Sequence, residues 1–242
     1  MKYSKTKKPQ EQYWISLSDI MTGLMVIFMF IAISYMLQIR EKQKERDQIL
    51  EDFKNTKMEL YQELKEEFEE DFREDKWNAV IDEDLSIRFL NERVLFDYNR
   101  TNLKPEFKRI LDDFFPRYLA ILLKDKYRSK IAEVRIEGHT DSRGEYMYNV
   151  SLSQKRTASV LDYVLFSYNS PFRNFDGETR RLIQFWLTAT GFSSGRTLDA
   201  DGQFTLRNAT VEDDNRSRRV EFRIITKTDE VVQKILKEME LE

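Results

Sequence analysis

The 242-residue chain has 40 basic and 43 acidic residues, a formal net charge of -3 and no cysteine. The lack of cysteine excludes a disulfide framework and thiolate metal sites, and the nearly balanced charge gives no basic footprint for nucleic acid. The length leaves room for a membrane segment, a connecting arm and one domain with a single hydrophobic core.

Residues 1–12 form a lysine-rich tail, and residues 13–39 are predicted to form the only transmembrane helix. Residues 20–39 contain no charged side chain, and as a helix they span roughly 30 Å, the thickness of a hydrocarbon core. The alternative is a secretory signal peptide, but the apolar run is too long and no small-residue cleavage site follows it. Basic residues flank both ends of the helix equally, so they do not orient it.

Asp19 lies at the N-terminal end of this apolar run. A carboxylate left charged at mid-membrane costs about 3 kcal/mol, so such residues usually face a partner or a water-filled path. Asp19, Thr22 and Gly23 share one helix face, which permits close approach of a neighbouring helix on the side of the acid and favours a functional role. The alternative is a carboxylate in the headgroup layer, stabilised by the helix dipole.

Residues 40–76 are predicted to form a helical linker, because they are rich in Glu, Lys, Gln and Asp and contain neither Pro nor Gly. Apolar residues recur along it at helical spacing: Leu50, Phe53, Leu60, Leu64, Phe68 and Phe72. The stripe fits either a solvated helix or a short parallel pairing with a second copy. We favour pairing, because a stripe of Phe and Leu needs burial.

Residues 77–228 are predicted to form an α+β domain with the order βαβαβ around one sheet. Residues 80–96 alternate apolar and polar side chains and predict two strands joined by a tight turn at Asn91 and Glu92. Further strands are predicted at residues 131–137, 186–191 and 220–225. Helices are predicted from Pro105, where Pro116 is expected to kink or divide the helix, at residues 145–168, and at 229–242. Loops are expected at residues 167–177 and 191–202.

The densest motif is IEGHTDSRGEYMYNVSLSQKRTASV at residues 136–160. Asp141, at the mouth of a strand, can pair with an ammonium group, and Arg156 can offer its planar guanidinium to a carboxylate. Together the two side chains would bracket one zwitterionic amino-acid head. The alternative is a helix-capping aspartate and a surface arginine.

The motif G-H-T-D-x-x-G, with LFDYNRTNLKPE at residues 95–106 and RRVEF at 218–222, resembles the OmpA-like peptidoglycan-binding domain over residues 95–225. The resemblance implies that Asp141 and Arg156 hold the diaminopimelate of the cell-wall stem peptide and that Thr140 and Asn149 support the loop. For Arg219, a cell-wall contact and a strand-face ion pair remain open. Thr157 and Ser217 depart from the family pattern, which often has Ala and usually has Asn there.

His139 is the sole histidine. No nucleophile with an orienting acid stands at a recognisable spacing, and a metal would need more ligands, so we interpret His139 as structural. Accordingly, neither an enzymatic activity nor a resident cofactor is expected.

Residues 14–28, WISLSDIMTGLMVIF, resemble the ion-carrying helix of the B subunits of MotB-type flagellar stators. The short tail, charged arm and long loops most resemble the B subunits of the Zorya anti-phage defence system. This resemblance implies that Asp19 carries H⁺ or Na⁺, with Thr22 lining its path.

The same resemblance implies a single-pass protein of the bacterial inner membrane, with a cytoplasmic N-terminus and a periplasmic domain bound to peptidoglycan. It also implies a homodimer surrounded by an A-type membrane subunit, in five copies in the stators. The alternatives are a flagellar stator subunit and a passive peptidoglycan tether.

Overall fold

The computed structural model describes residues 10–90, 95–97, 99–229 and 232, with side chains from residue 18 onward. The chain divides into two compact units, and the boundary falls between Glu51 and Asp52. Most of the predicted tail, the predicted turn at Asn91 and Glu92 and nearly all of the predicted helix at residues 229–242 lie outside the described residues.

The first unit is built from helix α1, Gln10–Phe68, whose residues 52–68 belong to the second unit. Among the described residues, α1 alone is long and apolar enough to cross a membrane. Every side chain from residue 18 to residue 39 is exposed. An apolar surface of this extent requires lipid or a protein partner to cover it. The predicted transmembrane segment therefore lies on a helix that its own unit leaves uncovered.

The second unit contains a five-stranded mixed sheet with the strand order β1-β2-β5-β3-β4. The strands are β1 Ala79–Ile81, β2 Ser86–Phe89, β3 Ile131–His139, β4 Leu187–Gly191 and β5 Arg219–Thr226. β3 and β4 are parallel, and the other neighbours are antiparallel. The predicted α+β class is confirmed.

Besides the end of α1, the helices of this unit whose bounds lie within the described residues are α2 Pro105–Leu122, α3 Asp125–Arg128, α4 Tyr146–Phe166, α5 Gly177–Trp186, α6 Thr205–Asn208 and α7 Asp214–Ser217, with a 3-10 turn at Pro171–Asn174. Pro116 does not divide α2, which continues through it. The sequence interpretation missed α5 and the short helices. Asp176 caps α5, because its carboxylate accepts hydrogen bonds from the backbone amides of Glu178 and Thr179 at 2.8 and 2.9 Å.

The last turns of α1 belong to the hydrophobic core of the second unit. Leu60, Leu64 and Phe68 are buried there, and the ring of Phe68 lies 5.2 Å from that of Phe114 on α2. The favoured pairing with a second copy is wrong for this part of the stripe, because the domain itself covers it. For Leu50 and Phe53, pairing stays a prediction.

The segment predicted as one strand from residue 80 is divided by a turn between β1 and β2. Leu85 donates its backbone N–H to the carbonyl of Asp82 at 2.9 Å, and Asp84 accepts from the backbone N–H of Ser86 at 3.1 Å. Leu85 is fully buried and has a φ of 67°. A buried leucine in the left-handed region gives no turn signal, so alternation alone did not reveal the turn between β1 and β2. Phe96 forms only an isolated bridge with Leu103.

Two glycines let α4 approach the sheet closely. A Cβ on Gly138 would lie 2.9 Å from the backbone oxygen of Ser153, and one on Gly191 would lie 2.3 Å from the backbone nitrogen of Gln154. The side-chain amide of Gln154 also donates from Nε2 to the carbonyl of Ala189 at 3.1 Å and accepts at Oε1 from the backbone N–H of Gly191 at 2.8 Å. This packing fixes α4 against the ends of β3 and β4.

Candidate functional site

A cavity of about 580 Å³ opens beyond the end of β3. Its lining residues are Phe96, Asn99, Lys104, Thr140, Asp141, Arg143, Gly144, Tyr148, Asn149, Leu152, Arg156 and Arg218. The antiparallel register pairs His139, the last residue of β3, with Arg219, the first of β5. The residues just after β3 and just before β5 therefore lie at the same edge of the sheet, which brings Asp141 and Arg218 together.

Hydrogen bonds within the loop from β3 to α4, and from the loop to α4 and Ser193, fix its conformation. Asp141 accepts from the backbone N–H of Arg143 at 3.2 Å, and Gly144 adopts a φ of 89°. The Asn149 side chain on α4 donates to the carbonyl of Arg143 at 2.8 Å, and the Thr140 backbone N–H donates to Ser193 at 3.0 Å. The expectation that Thr140 and Asn149 support this loop agrees with these contacts.

The Asp141 carboxylate is held by two guanidinium groups. Arg143 donates to it from Nε at 2.9 Å and from Nη2 at 2.5 Å, and Arg218 donates from Nη1 at 2.7 Å. Burial alone raises the pKa of Asp141, but these two arginines outweigh burial and hold the pKa below its ordinary value. Asp141 is therefore an anion with cationic partners already in place.

Arg156 lies at the wall of the same cavity and is almost fully buried. Its Nε donates to the backbone oxygen of Arg100 at 3.0 Å, and its guanidinium lies 4.8 Å from the ring centre of Phe96. These contacts pre-organise the planar group, so less side-chain entropy is lost when a ligand carboxylate arrives.

The structure brings together four of the five wall-binding residues predicted from the sequence: Thr140, Asp141, Asn149 and Arg156. Arg219, in contrast, is buried and donates to Glu221 at 2.5 Å and to the carbonyl of Ser217 at 3.1 Å. Of the two alternatives left open for Arg219, these contacts describe the strand-face ion pair.

The sequence interpretation missed Arg143 and Arg218 as cavity residues. Both lie close in sequence to predicted site residues, since Arg143 is two residues after Asp141 in the same motif and Arg218 directly precedes Arg219. The signal that could have found Arg218 is the pairing of β3 with β5, which a single sequence does not reveal.

Behind the cavity, Glu137, His139 and Glu221 form a buried cluster whose ligand-type atoms lie within 4.8 Å of one another. Arg219 already binds Glu221, and Arg196 lies 3.3 Å from Glu137. Burial and the nearby Arg219 lower the pKa of His139, so its ring is neutral at pH 7, and it stacks on Phe192. These cationic partners make the cluster an internal ion-pair network, in keeping with a structural His139.

In the first unit, Asp19 and Thr22 lie on the exposed surface of α1. The Thr22 hydroxyl donates to the backbone oxygen of Ser18 at 2.8 Å, and a Cβ on Gly23 would meet no atom within 4 Å. The face that carries Asp19 is therefore shallow and open to a neighbouring helix.

The chain is similar to curated proteins along nearly its whole length. It is 40% identical to the Zorya protein ZorB of Escherichia coli strain Crooks, over 96% of each chain. It is 28% identical to the Zorya protein ZorB of Escherichia coli O139:H28, over 93% of this chain and 84% of that one. Residues 95–177 match the OmpA family.

Solved structures of similar domains are also found. A MotB-like protein from Desulfovibrio vulgaris is 24% identical and aligns over 73% of this chain and 98% of its own, with a TM-score of 0.48.

Proposed function

This chain belongs to the Zorya protein ZorB family, and from that premise we propose that it is the wall-anchoring subunit of an ion-driven membrane motor in anti-phage defence. Its domain binds the diaminopimelate head of peptidoglycan stem peptides. Its helix α1 spans the inner membrane once, with the N-terminus in the cytoplasm and the domain in the periplasm.

The observation that carries this proposal is the cavity at the end of β3. It combines a carboxylate, Asp141, with a pre-organised guanidinium, Arg156, in one depression of about 580 Å³. A free amino-acid head offers an ammonium and a carboxylate, and each finds an opposite charge there. The match of residues 95–177 to the OmpA family supports the same interpretation.

The exposed acid on α1 supports the motor half of the proposal. In a complex, the open face of Asp19, Thr22 and Gly23 would be covered by an A-type membrane partner, with two copies of this chain inside five copies of that subunit. Asp19 would take up H⁺ or Na⁺ from the periplasmic side and release it inside, and each charge crossing about 100 mV supplies roughly 2.3 kcal/mol. The wall tether would hold the dimer still, so that ion flow turns the surrounding ring.

The test of the motor is Asp19→Asn, which keeps the shape of the side chain and removes its charge. We expect loss of phage protection while the complex with the A-type partner still assembles, as measured by plaque formation and by co-purification. A complex that protects in spite of this substitution would reduce the protein to a passive tether. Ser34→Ala, at an exposed polar position of the same helix, is the matched control and should protect.

The test of the anchor is binding of purified full-length protein to isolated cell-wall sacculi. We expect Arg156→Ala to lower the amount that sediments with sacculi, because the ligand carboxylate loses its guanidinium. Arg181→Ala, on the exposed side of α5, should bind like the wild type. Equal sedimentation of all three proteins would contradict wall binding at this cavity.

A further inference from the structure

The Asp141 carboxylate offers little to an incoming ammonium. Its Oδ2 accepts three donors from Arg143 and Arg218, and its Oδ1 accepts the backbone N–H of Arg143. Only 8% of its side chain is exposed. Since a carboxylate has about four lone-pair sites, an ammonium group competes with guanidinium groups that are already bound.

The two arginines differ in how firmly they are held. Arg218 is 13% exposed, directly precedes β5 and also donates to Asn215 at 2.8 Å. Arg143 is 65% exposed, lies in the loop, and approaches the exposed Asp214 at 3.4 Å. An exposed ion pair contributes little net stability because solvent screens it and holding a long side chain costs entropy. Of the two, Arg143 is the one that can turn away.

We propose that Arg143 is a displaceable counter-ion that leaves Asp141 when the ammonium of a ligand arrives and then joins Arg156 in pairing with the carboxylate of the same ligand. This inference rests on the proposed wall binding. Its chemistry is an exchange of ion pairs, since one Asp141–Arg143 pair is replaced by one ammonium–Asp141 pair and by one carboxylate that Arg156 and Arg143 share. No charge is left without a partner.

The exchange makes Arg143 a specificity residue. A ligand head that carries both a free ammonium and a free carboxylate restores both pairs. A head whose carboxylate is converted to an amide displaces Arg143 and leaves it only the exposed Asp214 in place of the buried Asp141. The site therefore selects un-amidated zwitterionic heads, which names the class of stem peptide that it takes.

Titration calorimetry of the full chain in detergent micelles tests the exchange. One probe is the stem tripeptide that ends in meso-diaminopimelate, and the other is that tripeptide with the carboxylate beside the free ammonium converted to an amide. For Arg143→Ala we expect the amide to bind up to about fivefold more tightly than it binds the wild type, because nothing must be displaced. The affinity for the free-acid tripeptide should change by less than about twofold. In Arg143→Ala no Asp141–Arg143 pair has to break, but no pair between Arg143 and the ligand carboxylate forms either, and the two effects offset each other.

Arg181→Ala makes the same charge change at a distant exposed arginine and should leave both affinities as in the wild type. The inference is overturned if Arg143→Ala weakens both peptides equally or changes neither. If the wild type binds the tripeptide but the selectivity ratio does not move, this inference fails and wall binding stands. If the wild type binds neither the peptides nor sacculi, both fail together.

Discussion

Arg117 on α2 joins its guanidinium to Glu67 near the end of α1, donating to the carboxylate at 2.7 Å and to the backbone oxygen at 2.6 Å. The same group reaches Asp71 at 2.9 Å and lies 4.7 Å from the ring centre of Phe68. One side chain thus satisfies a carbonyl in the last turn of α1 and fastens that turn to the domain.

Arg117→Ala should lower the free energy of unfolding by about 1–3 kcal/mol, because a backbone carbonyl and two carboxylates lose a charged donor. Thermal unfolding followed by circular dichroism measures the change. Arg109→Ala removes an exposed i,i+3 pair with Glu106 on the same helix and should change stability by less than about 0.5 kcal/mol. Equal losses for the two variants would contradict a special role of Arg117.

Leu64→Ala should destabilise a fragment of residues 52–242 by about 2–5 kcal/mol, because it leaves a cavity in the core. Met58→Ala, at an exposed position of the same helix, should have little effect. Urea unfolding at several protein concentrations separates burial within the domain from pairing of copies. A loss that grows on dilution would place Leu64 in an interface between copies.

Gly191→Ala should destabilise the domain by about 1–3 kcal/mol, because the added methyl group meets the backbone of α4 and forces the helix to move. Gly177→Ala is the control, since its methyl group meets nothing within 4 Å in the first turn of α5. That substitution should be neutral or stabilise by up to about 1 kcal/mol. Denaturant midpoints of the two variants measure the difference.

The lowered pKa of Glu221 predicts how the stability of the domain changes at low pH. Burial alone raises the pKa of Glu221, but the charges of Arg219 and Arg88 lower it from 4.5 to about 2 in the fold. A lowered carboxyl pKa contributes stability that is present above about pH 4.5 and is lost as the pH falls towards about 2. We expect Glu221→Gln to be less stable than the wild type at pH 7 and to lose less stability across that window.

Urea unfolding at a series of pH values tests this expectation. Glu178→Gln, at an exposed carboxylate on α5, is the control and should follow the wild-type curve. A Glu221→Gln curve parallel to that of the wild type below pH 4.5 would show that another group governs acid sensitivity.

Most of the sheet was predictable from the sequence of β3 and β5. β3 contains a long apolar-polar run that ends at Gly138, and β5 contains a similar run that follows the Arg218-Arg219 pair. The turn before β2 was not, since Leu85 combines full burial with a left-handed backbone. α5 carried a readable signal in the capping Asp176, but the exposed Phe185 next to the buried Trp186 obscures its periodicity.

For the site, the resemblance of a local motif to the OmpA-like domain was enough to place Asp141, Thr140, Asn149 and Arg156 around one cavity. All four lie at the end of one strand or on one face of the helix that follows it. The state of Asp141 was not predictable, since it depends on Arg218, which lies 77 residues away. The burial of the α1 stripe in the domain core was not predictable for the same reason, because Leu64 and Phe68 join the same core as Phe114 only through the tertiary fold.

The burial of Leu60, Leu64 and Phe68 has a mechanical consequence. A pull applied along α1 at Asp52 acts on side chains that are wedged into the core, and no slack hinge precedes them in the described part of this unit. Such a tether is stiff under load. A small displacement at Asp52 would therefore reach the core of the domain through these buried side chains.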